Sequence, residues 1–266
     1  MFVLDDGKRV VVPRTQLTYP GHDMKFHRNA ADPVKSPVDH VMADLEDACP
    51  YEFKGDVSRK TIVEAFNTLN YGAKVVTFRP NNIKSPFFED DVRAVVTGAP
   101  NKFHGIILPK IFGPEDVRLV DKLLTECEKK AGWKYKIQIE TLIENPVSLE
   151  NAYEIAASSP RMAGLIFGIA DYASWMRIRN IVEDQNVNFA YAKQRVCAAS
   201  KAYGLHAIDN VYLRLPRKGA SPEDAAANER GIRQKNMGAA ALGMDGTWVI
   251  HPSQAAISHE CYTPSK

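Results

Sequence analysis

Charged side chains follow directly after several short apolar runs of this 266-residue chain. Acids and an arginine stand at the ends of four such runs: Asp44-Leu45-Glu46-Asp47, Arg79, Glu140 and Asp171. A charge next to a buried strand costs free energy unless it is paired or binds a metal. Any one of these residues has an ordinary explanation in pairing with a neighbouring helix, but the repetition at successive run ends indicates a functional site.

The sequence predicts that Glu140 and Asp171 are the ligands of one metal ion. Both supply hard oxygen donors with no His or Cys beside them, which suits Mg²⁺, or Mn²⁺, rather than Zn²⁺. Glu46 and Asp47 are expected across the same site, where they would hold metal-bound waters, because Mg²⁺ tends to keep several waters. Arg79 offers a planar fork that suits a carboxylate or an oxygen gaining negative charge. The expected catalytic residues are therefore Arg79, Glu46 and Asp47.

Short apolar runs alternate along the chain with amphipathic helical patterns, as expected of repeated βα units. Eight strands are predicted, at residues 15–19, 40–45, 74–78, 105–109, 136–141, 164–167, 206–211 and 247–250. The clearest helices are predicted at residues 58–69, 114–130, 148–157, 190–203 and 222–241. The strands are apolar throughout rather than alternating, which is typical of a parallel sheet covered by helices.

A closed (β/α)8 barrel and an open doubly wound sheet both fit this alternation of strands and helices. The open sheet usually has a Gly-rich turn after its first strand, whereas residues 19–23 read Tyr-Pro-Gly-His-Asp here. Eight strands and the position of the polar residues favour the closed barrel, as a single domain that spans residues 1–266. Functional residues of such barrels stand at the C-terminal ends of the strands. Trp248 is expected in the core, and His251 at the mouth in a positioning role.

The charge and the cysteines limit the classes of function. A formal net charge of +2 gives no basic field for nucleic acid, and no apolar stretch approaches the roughly 18 residues of a membrane span. The first nine residues carry charges and do not resemble a signal peptide. The four cysteines lie far apart, as expected of reduced thiols. We therefore expect a cytoplasmic protein with neither nucleic acid nor a membrane as partner.

The ordered set of motifs resembles the citrate lyase beta-subunit-like (HpcH/HpaI aldolase) family, and within it is most similar to malyl-CoA lyases. The matching stretches are RTQLTYPG (14–21), DLEDACP (44–50), FRPN (78–81), ILPK (107–110), IETLIEN (139–145), FGIADYA (167–173), AYGLHAID (202–209) and ALGMDGTWVIHPSQ (241–254). They cover the chain from about Arg14 to its end. Asp-Leu-Glu-Asp alone is a weak signal, but the ordered set is specific.

The resemblance implies a Mg²⁺-dependent lyase that cleaves or forms a 3-hydroxyacyl-CoA, such as malyl-CoA, with acetyl-CoA and glyoxylate as products. Its partners would be a coenzyme A thioester and a small 2-oxo acid, and the chain would form a homo-oligomer, a trimer or hexamer. The implied substrate-binding residues are Arg79, Gly168, Ala170 and Asp171. The implied coenzyme A-binding residues are Arg14, Thr18, Tyr19, Lys25, Arg28, Ile250, His251 and Pro252.

The chain departs from the family pattern in three places. Asp23 stands where an arginine is common, so Lys25 and Arg28 are expected to meet the coenzyme A phosphates. Residues 208–214 read Ile-Asp-Asn-Val-Tyr-Leu-Arg instead of Ile-Asp-Gly-Pro-Phe-Gly-Asp, which leaves the acyl substrate open. Relatives continue into a C-terminal lid that supplies an aspartate to a neighbouring subunit, and this segment is expected to be absent after Lys266.

Several alternatives stay open at this point. The same scaffold serves thioesterases, citryl-CoA or citramalyl-CoA lyases, and aldolases that act on free 2-oxo acids without coenzyme A. A non-catalytic barrel subunit is a further alternative, which the set Glu140, Asp171 and Arg79 disfavours. Without the lid aspartate the general base is not identified, and Asp47 is the first candidate.

Overall fold

The computed structural model describes residues 1–4, 7–181, 185–215 and 219–264. The strands are β1 (Phe2–Leu4), β2 (Arg9–Val11), β3 (Thr15–Pro20), β4 (His40–Asp44), β5 (Val75–Arg79), β6 (Gly105–Leu108), β7 (Gln138–Ile143), β8 (Met162–Phe167), β9 (His206–Asp209) and β10 (Gly246–Val249). Strands β3 to β10 are parallel and close into one barrel, in which β10 pairs with both β9 and β3. The predicted (β/α)8 barrel is confirmed.

Helices cover the outside of the barrel. They are α1 (Met24–Ala31), α2 (Asp56–Thr68), α3 (Phe88–Gly98), α4 (Pro114–Ala131), α5 (Pro146–Glu150), α6 (Ala152–Ala156), α7 (Ile169–Trp175), α8 (Gln185–Asn188), α9 (Ala190–Ala202), α10 (Pro222–Ala241) and α11 (Ala255–Tyr262). In the part of the chain that the structure describes, none of these helices has the length and apolar character of a membrane span. The helix predicted at 148–157 is instead the pair α5 and α6, which meet at Asn151.

Helix α4 shows why these segments fold as the sequence predicts. Pro114 occupies its first turn, and the carboxylate of Asp116 accepts the backbone N–H of Phe112 at 2.7 Å. The helix ends at Gly132, whose φ of 69° is the left-handed conformation that glycine adopts without strain. Its inward face is buried at a spacing of three and four residues: Val117, Val120, Leu123, Leu124 and Cys127.

A short antiparallel hairpin of β1 and β2, which the sequence did not predict, covers the N-terminal end of the barrel. The ring of Phe2 has no exposed surface and lies 5.2 Å from the ring of His40 and 5.5 Å from that of His206. Gly105 makes room for it, since a Cβ at this position would lie 2.8 Å from the Phe2 ring. The hairpin therefore closes the end of the barrel that is opposite to the functional end.

The interior of the barrel consists of three layers, because alternate side chains of each strand point inward. The layer nearest the N-terminal ends of the strands is polar and contains Gln16, His40, Thr77, Glu140 and His206. The middle layer is apolar, with Trp248 packed against Met42, Ile107, Leu142, Ile166 and Ile208. The layer at the C-terminal ends is charged again.

Glu140 lies in the polar layer and not at the end of its strand. Strand β7 continues to Ile143, and Glu140 pairs with Gly164 of β8 inside the ladder. Its Oε1 accepts a hydrogen bond from Gln16 Nε2 at 2.6 Å and is bonded to His206 Nε2. The prediction that Glu140 stands beside Asp171 at the barrel mouth is therefore wrong.

Replacing Glu140 with Ala is expected to destabilise the fold by about 3–5 kcal/mol, because buried polar partners lose their acceptor. The measurement is urea denaturation, with Glu154→Ala on the exposed side of α6 as control. The control should stay within about 0.5 kcal/mol of the wild type. Wild-type stability of the Glu140 variant would contradict a purely structural role.

A buried network ties α1 to β3 and positions the connection between them. His27 Nε2 donates to the carbonyl oxygen of Gly21 at 3.0 Å. Its Nδ1 is therefore an acceptor for the hydroxyl groups of Tyr19 and Tyr71, at 3.1 and 3.2 Å. Burial lowers the pKa of His27 to about 4, although the bond to Gly21 opposes the shift. The imidazole is thus neutral in the folded protein at neutral pH.

This pKa gives His27 a pH-dependent share of the stability. Between pH 4 and about 6.5 the unfolded chain binds a proton at this position and the folded chain does not, so stability falls as the pH falls. The advantage of the wild type over His27→Gln is expected to be full at pH 7.5 and smaller at pH 5 in urea denaturation. An advantage of the wild type over His27→Gln that grows towards low pH would refute the assignment.

Candidate active site

A buried ion pair lies at the centre of the charged layer. Arg79 is the last residue of β5, and its Nε and Nη2 donate to the two carboxylate oxygens of Asp44 at 2.8 and 2.5 Å. Asp44 ends β4 and also accepts the backbone N–H groups of Glu46 and Ala48, at 2.8 and 2.9 Å. One carboxylate therefore holds both the arginine fork and the turn after β4.

The two acids of this turn contact cations from neighbouring strands. Glu46 is 4% exposed, and its Oε2 lies 3.3 Å from Nη1 of Arg79. Lys110 Nζ bonds Glu46 Oε1 and lies 3.0 Å from Asp47, whose side chain is 56% exposed. Lys54 Nζ donates to the backbone carbonyl of Glu46 at 2.6 Å. The structure thus brings the predicted catalytic residues Arg79, Glu46 and Asp47 into one cluster.

Glu46 and Asp47 differ in acidity. Burial raises the pKa of Glu46 to about 7; the charge of Arg79 opposes the shift, and that of Asp47 adds to it. Burial also acts to raise the pKa of Asp47, but its hydrogen bond with Glu46 and the charges of Arg79 and Lys110 outweigh it and hold the pKa below its usual range. Of the two acids, Glu46 therefore has the pKa closer to neutrality, where general acid–base catalysis is most efficient.

Glu144, which the sequence did not single out, is the carboxylate at the C-terminal end of β7. It is 4% exposed, and its Oε1 accepts the backbone N–H of Lys110 at 2.5 Å. Lys110 has a left-handed φ of 53°, which costs a non-glycine residue about 1–2 kcal/mol. In this conformation its N–H reaches Glu144 while its Nζ reaches Glu46, so one residue connects the two acidic parts of the mouth.

Asp171 lies in the first turn of α7, close to Glu144. Between them, Gly168 permits a close approach, since a Cβ at this position would lie 2.9 Å from Oε2 of Glu144. Ala170 is exposed in the same first turn. Burial raises the pKa of Glu144 to about 8, and the charge of Asp171 adds to the rise. Two carboxylates thus share one site, and a bound cation would relieve their repulsion.

Glu144 and Asp171, rather than Glu140 and Asp171, are the pair that could hold a metal ion. Glu140 and Glu144 lie on the same inward face of the chain, and about 13 Å of strand separates them at about 3.3 Å per residue. The apolar run extends through Leu142 and Ile143, so Glu144 is the first charge after it. The same feature marks Asp44 and Asp171, and it was the available signal for Glu144.

The described side chains alone would not complete the coordination of an ion. Within residues 1–4, 7–181, 185–215 and 219–264, no three side chains of His, Cys, Asp or Glu come together as a metal site. Two carboxylates with water or substrate oxygens in the remaining positions suit Mg²⁺, which usually keeps several waters and is held by one or two carboxylates.

A cavity of about 750 Å³ opens beside the mouth, between the β3–α1 connection and the segment after β10. Its lining includes five of the residues for which the resemblance implied contact with coenzyme A: Thr18, Tyr19, Ile250, His251 and Pro252. The Nδ1 of His251 accepts the backbone N–H of Ser253 at 3.2 Å, which fits the expected positioning role. The cavity is large enough for an extended organic ligand.

Arg14 does not reach this cavity. It precedes β3 at the opposite end of the barrel, and its Nε donates to Asp39 at 2.8 Å. The prediction that Arg14 binds coenzyme A is therefore wrong, because the motif continues past the N-terminal end of the strand. Lys25 and Arg28 lie on α1 outside the lining and stay predictions. Lys35, which the sequence did not single out, lines the cavity and carries a positive charge.

Solved structures share this fold. The citrate lyase beta subunit of M. tuberculosis, complexed with oxaloacetate and magnesium, matches 94% of this chain and 97% of that chain with a TM-score of 0.73 and 21% identity. The protein CitE of Mycobacterium tuberculosis, in complex with magnesium, acetoacetate and coenzyme A, matches 95% of this chain and 81% of that chain, with a TM-score of 0.69 and 20% identity. At these identities the likeness concerns the fold.

Curated relatives extend the likeness to most of the chain. The L-malyl-CoA/beta-methylmalyl-CoA lyase of Cereibacter sphaeroides is 30% identical over 269 residues, covering 95% of this chain and 80% of the relative. The citrate lyase subunit beta of Leuconostoc mesenteroides subsp. cremoris is 28% identical and covers 95% of this chain and 78% of the relative. The family model HpcH/HpaI aldolase/citrate lyase matches residues 24–252. The chain therefore belongs to the HpcH/HpaI aldolase/citrate lyase family and is a carbon–carbon lyase.

Proposed function

We propose that this lyase cleaves, or in reverse forms, a 3-hydroxyacyl-CoA such as malyl-CoA, with acetyl-CoA and glyoxylate as the products, and that Mg²⁺ or Mn²⁺ is its cofactor. The observation that carries the proposal is the meeting of three features at one end of the barrel. These are the fork of Arg79, the carboxylates Glu144 and Asp171, and the cavity of about 750 Å³ beside them. The malyl-CoA lyases among the relatives support the choice of substrate.

The charge balance of the mouth fits a divalent cation held by Glu144 and Asp171. Carboxyl groups outnumber cations there: Asp44, Glu46, Asp47, Glu144 and Asp171 face Lys54, Arg79 and Lys110. When bound, a divalent cation acts as a Lewis acid that polarises hydroxyl and carboxylate oxygens. The first turn of α7, with Gly168 and Ala170, is the proposed site for the carboxylate of the small acid.

Glu46 and Arg79 are the side chains proposed to act on the substrate during cleavage. In cleavage, the C3 hydroxyl loses its proton, the C2–C3 bond breaks, and its electron pair forms the enolate of acetyl-CoA. Glu46 is the group best suited to accept that proton, since its pKa is near 7, whereas Asp47, the first candidate from sequence, is held more acidic. Arg79 stabilises negative charge that develops chiefly in the transition state.

The cavity supplies the proposed coenzyme A site. Thr18, Tyr19, Ile250 and Pro252 offer a largely apolar wall for the pantetheine arm, and Lys35 offers a cation for a phosphate. A homo-oligomer, either a trimer or a hexamer, is also part of the proposal, and light scattering on the purified protein measures it.

A product assay on malyl-CoA with Mg²⁺ tests the proposed function. Acetyl-CoA and glyoxylate in equal amounts support the lyase, and a panel with β-methylmalyl-CoA, citramalyl-CoA and citryl-CoA ranks the substrates by kcat/KM. Malate with free coenzyme A would instead identify a thioesterase. If malyl-CoA is not consumed and its thioester stays intact, the proposal is contradicted.

Glu144→Gln and Asp171→Asn are each expected to weaken Mn²⁺ binding by at least about tenfold, because each removes a charged oxygen ligand. Isothermal titration of the protein without substrate measures the affinity. The matched control is Glu140→Gln, four residues earlier on the same strand face. The metal assignment fails if Glu140→Gln weakens binding as much as Glu144→Gln, or if the EDTA-treated protein keeps full activity.

Arg79→Lys is expected to lower kcat by about 10²-fold, because lysine keeps the charge but loses the fork that Asp44 holds. Steady-state kinetics on malyl-CoA measure the change. Arg161→Lys is the control, since Arg161 is equally buried and pairs with Asp121 and Glu128 away from the mouth. Arg161→Lys should lower stability without a selective loss of kcat. Normal turnover of Arg79→Lys would remove Arg79 from the reacting centre.

A further inference from the structure

Several buried hydrogen-bonding atoms have no hydrogen-bond partner among the described residues, and two of them lie on the adjacent strands β3 and β10. They are the indole Nε1 of Trp248 on β10 and the hydroxyl oxygen of Thr18 on β3. Both side chains face the barrel interior, because their strand neighbours point outward: Thr247 bonds Lys235 of α10, and Leu17 and Val249 join the core under the helices. A buried N–H without an acceptor costs about 1–3 kcal/mol, so the Trp248 indole is a strong candidate for a ligand contact.

The indole of Trp248 is fixed beside the charged cluster. Its ring packs on the apolar middle layer, next to Met42 and Ile208. On the ring face, the Cζ of Arg79 lies 5.4 Å from the ring centroid. Asp44 fixes the guanidinium through two hydrogen bonds, so a different rotamer of the indole would lose its contact with Arg79. The N–H is therefore held in place before a ligand arrives.

The position of Trp248 along its strand indicates which part of a ligand meets it. Ile250, just past the end of β10, lines the 750 Å³ cavity, as does Thr18 on the adjacent strand. On the opposite side stands Arg79 with the acids of the mouth. Trp248 thus lies between the proposed coenzyme A cavity and the site for the small acid, where the thioester group of an acyl-CoA spans the two.

We propose that the Trp248 indole N–H donates a hydrogen bond to the thioester carbonyl oxygen of the substrate, which makes Trp248 a further catalytic residue. The inference rests on the proposed function and adds the group that binds this oxygen. An indole N–H is a donor only, so its partner must be an acceptor such as a carbonyl or an enolate oxygen. The neighbouring Thr18 hydroxyl is available as a second donor.

The hydrogen bond would strengthen during the reaction. As the C2–C3 bond breaks, its electron pair forms a C1–C2 double bond, and the π electrons of the thioester carbonyl move to its oxygen. The hydroxyl proton goes to the base, so the products are the 2-oxo acid and an enolate with a negative oxygen. Trp248 and Arg79 together stabilise this charge, and a preorganised donor contributes about 10²-fold or more to kcat.

Indole NMR tests the contact without relying on turnover. The chain has three tryptophans, so ¹⁵N-labelled protein gives three indole signals, and Trp248→Phe assigns one of them. Acetyl-CoA with Mg²⁺ is expected to move the Trp248 signal downfield, whereas coenzyme A without the acyl group should not. Trp133, bonded to the carbonyl of Val96, and the exposed Trp175 are internal controls that should stay unchanged.

Other outcomes of the NMR experiment would contradict either the role of Trp248 or the proposed function. If titration calorimetry shows that acetyl-CoA binds but the Trp248 signal stays in place, the inference is wrong and the proposed function stands. A shift caused by glyoxylate with Mg²⁺ and not by acetyl-CoA also overturns it, because the N–H then meets the acid. If neither acetyl-CoA nor coenzyme A binds, the proposed function and the inference fail together.

Kinetics provide a second, independent test. Trp248→Phe keeps an aromatic face under Arg79 but removes the N–H, so kcat on malyl-CoA should fall about 10²-fold with little change in KM. Trp133→Phe, which loses a hydrogen bond remote from the mouth, should keep its kcat. Urea denaturation separates a folding defect from this effect. A Trp248→Phe protein that is stable and turns over at the wild-type rate would refute the inference.

Discussion

The carboxylate of Asp44 accepts two hydrogen bonds from Arg79 and one each from the backbone N–H groups of Glu46 and Ala48. Asp44 has no exposed surface, so its charge is stable only while these donors compensate it. The arrangement orients the arginine fork and the acidic turn at once. Because the orientation is set by folding, the site pays no reorganisation cost when negative charge develops on a substrate.

The apolar middle layer of the barrel separates this site from the polar layer at the opposite end. Charged or polar groups occupy both ends of the interior, and Met42, Leu142 and their neighbours fill the space between them. Below that layer, Glu140 is satisfied by Gln16 and His206 and is sealed by Phe2 of the N-terminal hairpin. Above it, the acids face the mouth. Glu140 inside β7 and Glu144 directly after it thus lie in different environments.

Lys110 links the parts of the mouth that come from different strands. Its backbone N–H holds Glu144, and its ammonium group holds Glu46 and Asp47. The left-handed backbone at Lys110 is strained for a residue with a side chain. Glycine would relieve that strain but would lose the ammonium group. The strain is offset by contacts that only this side chain makes, which is typical of functional sites.

The sequence by itself determined the barrel and most of the mouth. Eight apolar runs separated by helical patterns predict the fold, and the rule that functional residues stand at C-terminal strand ends selects Asp44, Glu46, Arg79 and Asp171. These predictions rest on local periodicity, which a single sequence displays. The ordered motifs add the family, which the comparisons confirm.

Only the tertiary structure decided where each strand begins and ends. Glu140 and Glu144 share one face of one apolar run. The pairing of β7 with β6 and β8 places Glu144 at the mouth and Glu140 near the closed end. The same long-range register puts Arg14 at the wrong end for coenzyme A and brings Lys35 and Trp248 to the cavity and the mouth. Periodicity along a chain specifies which face a residue occupies, but hydrogen bonds between distant segments specify its height in the barrel.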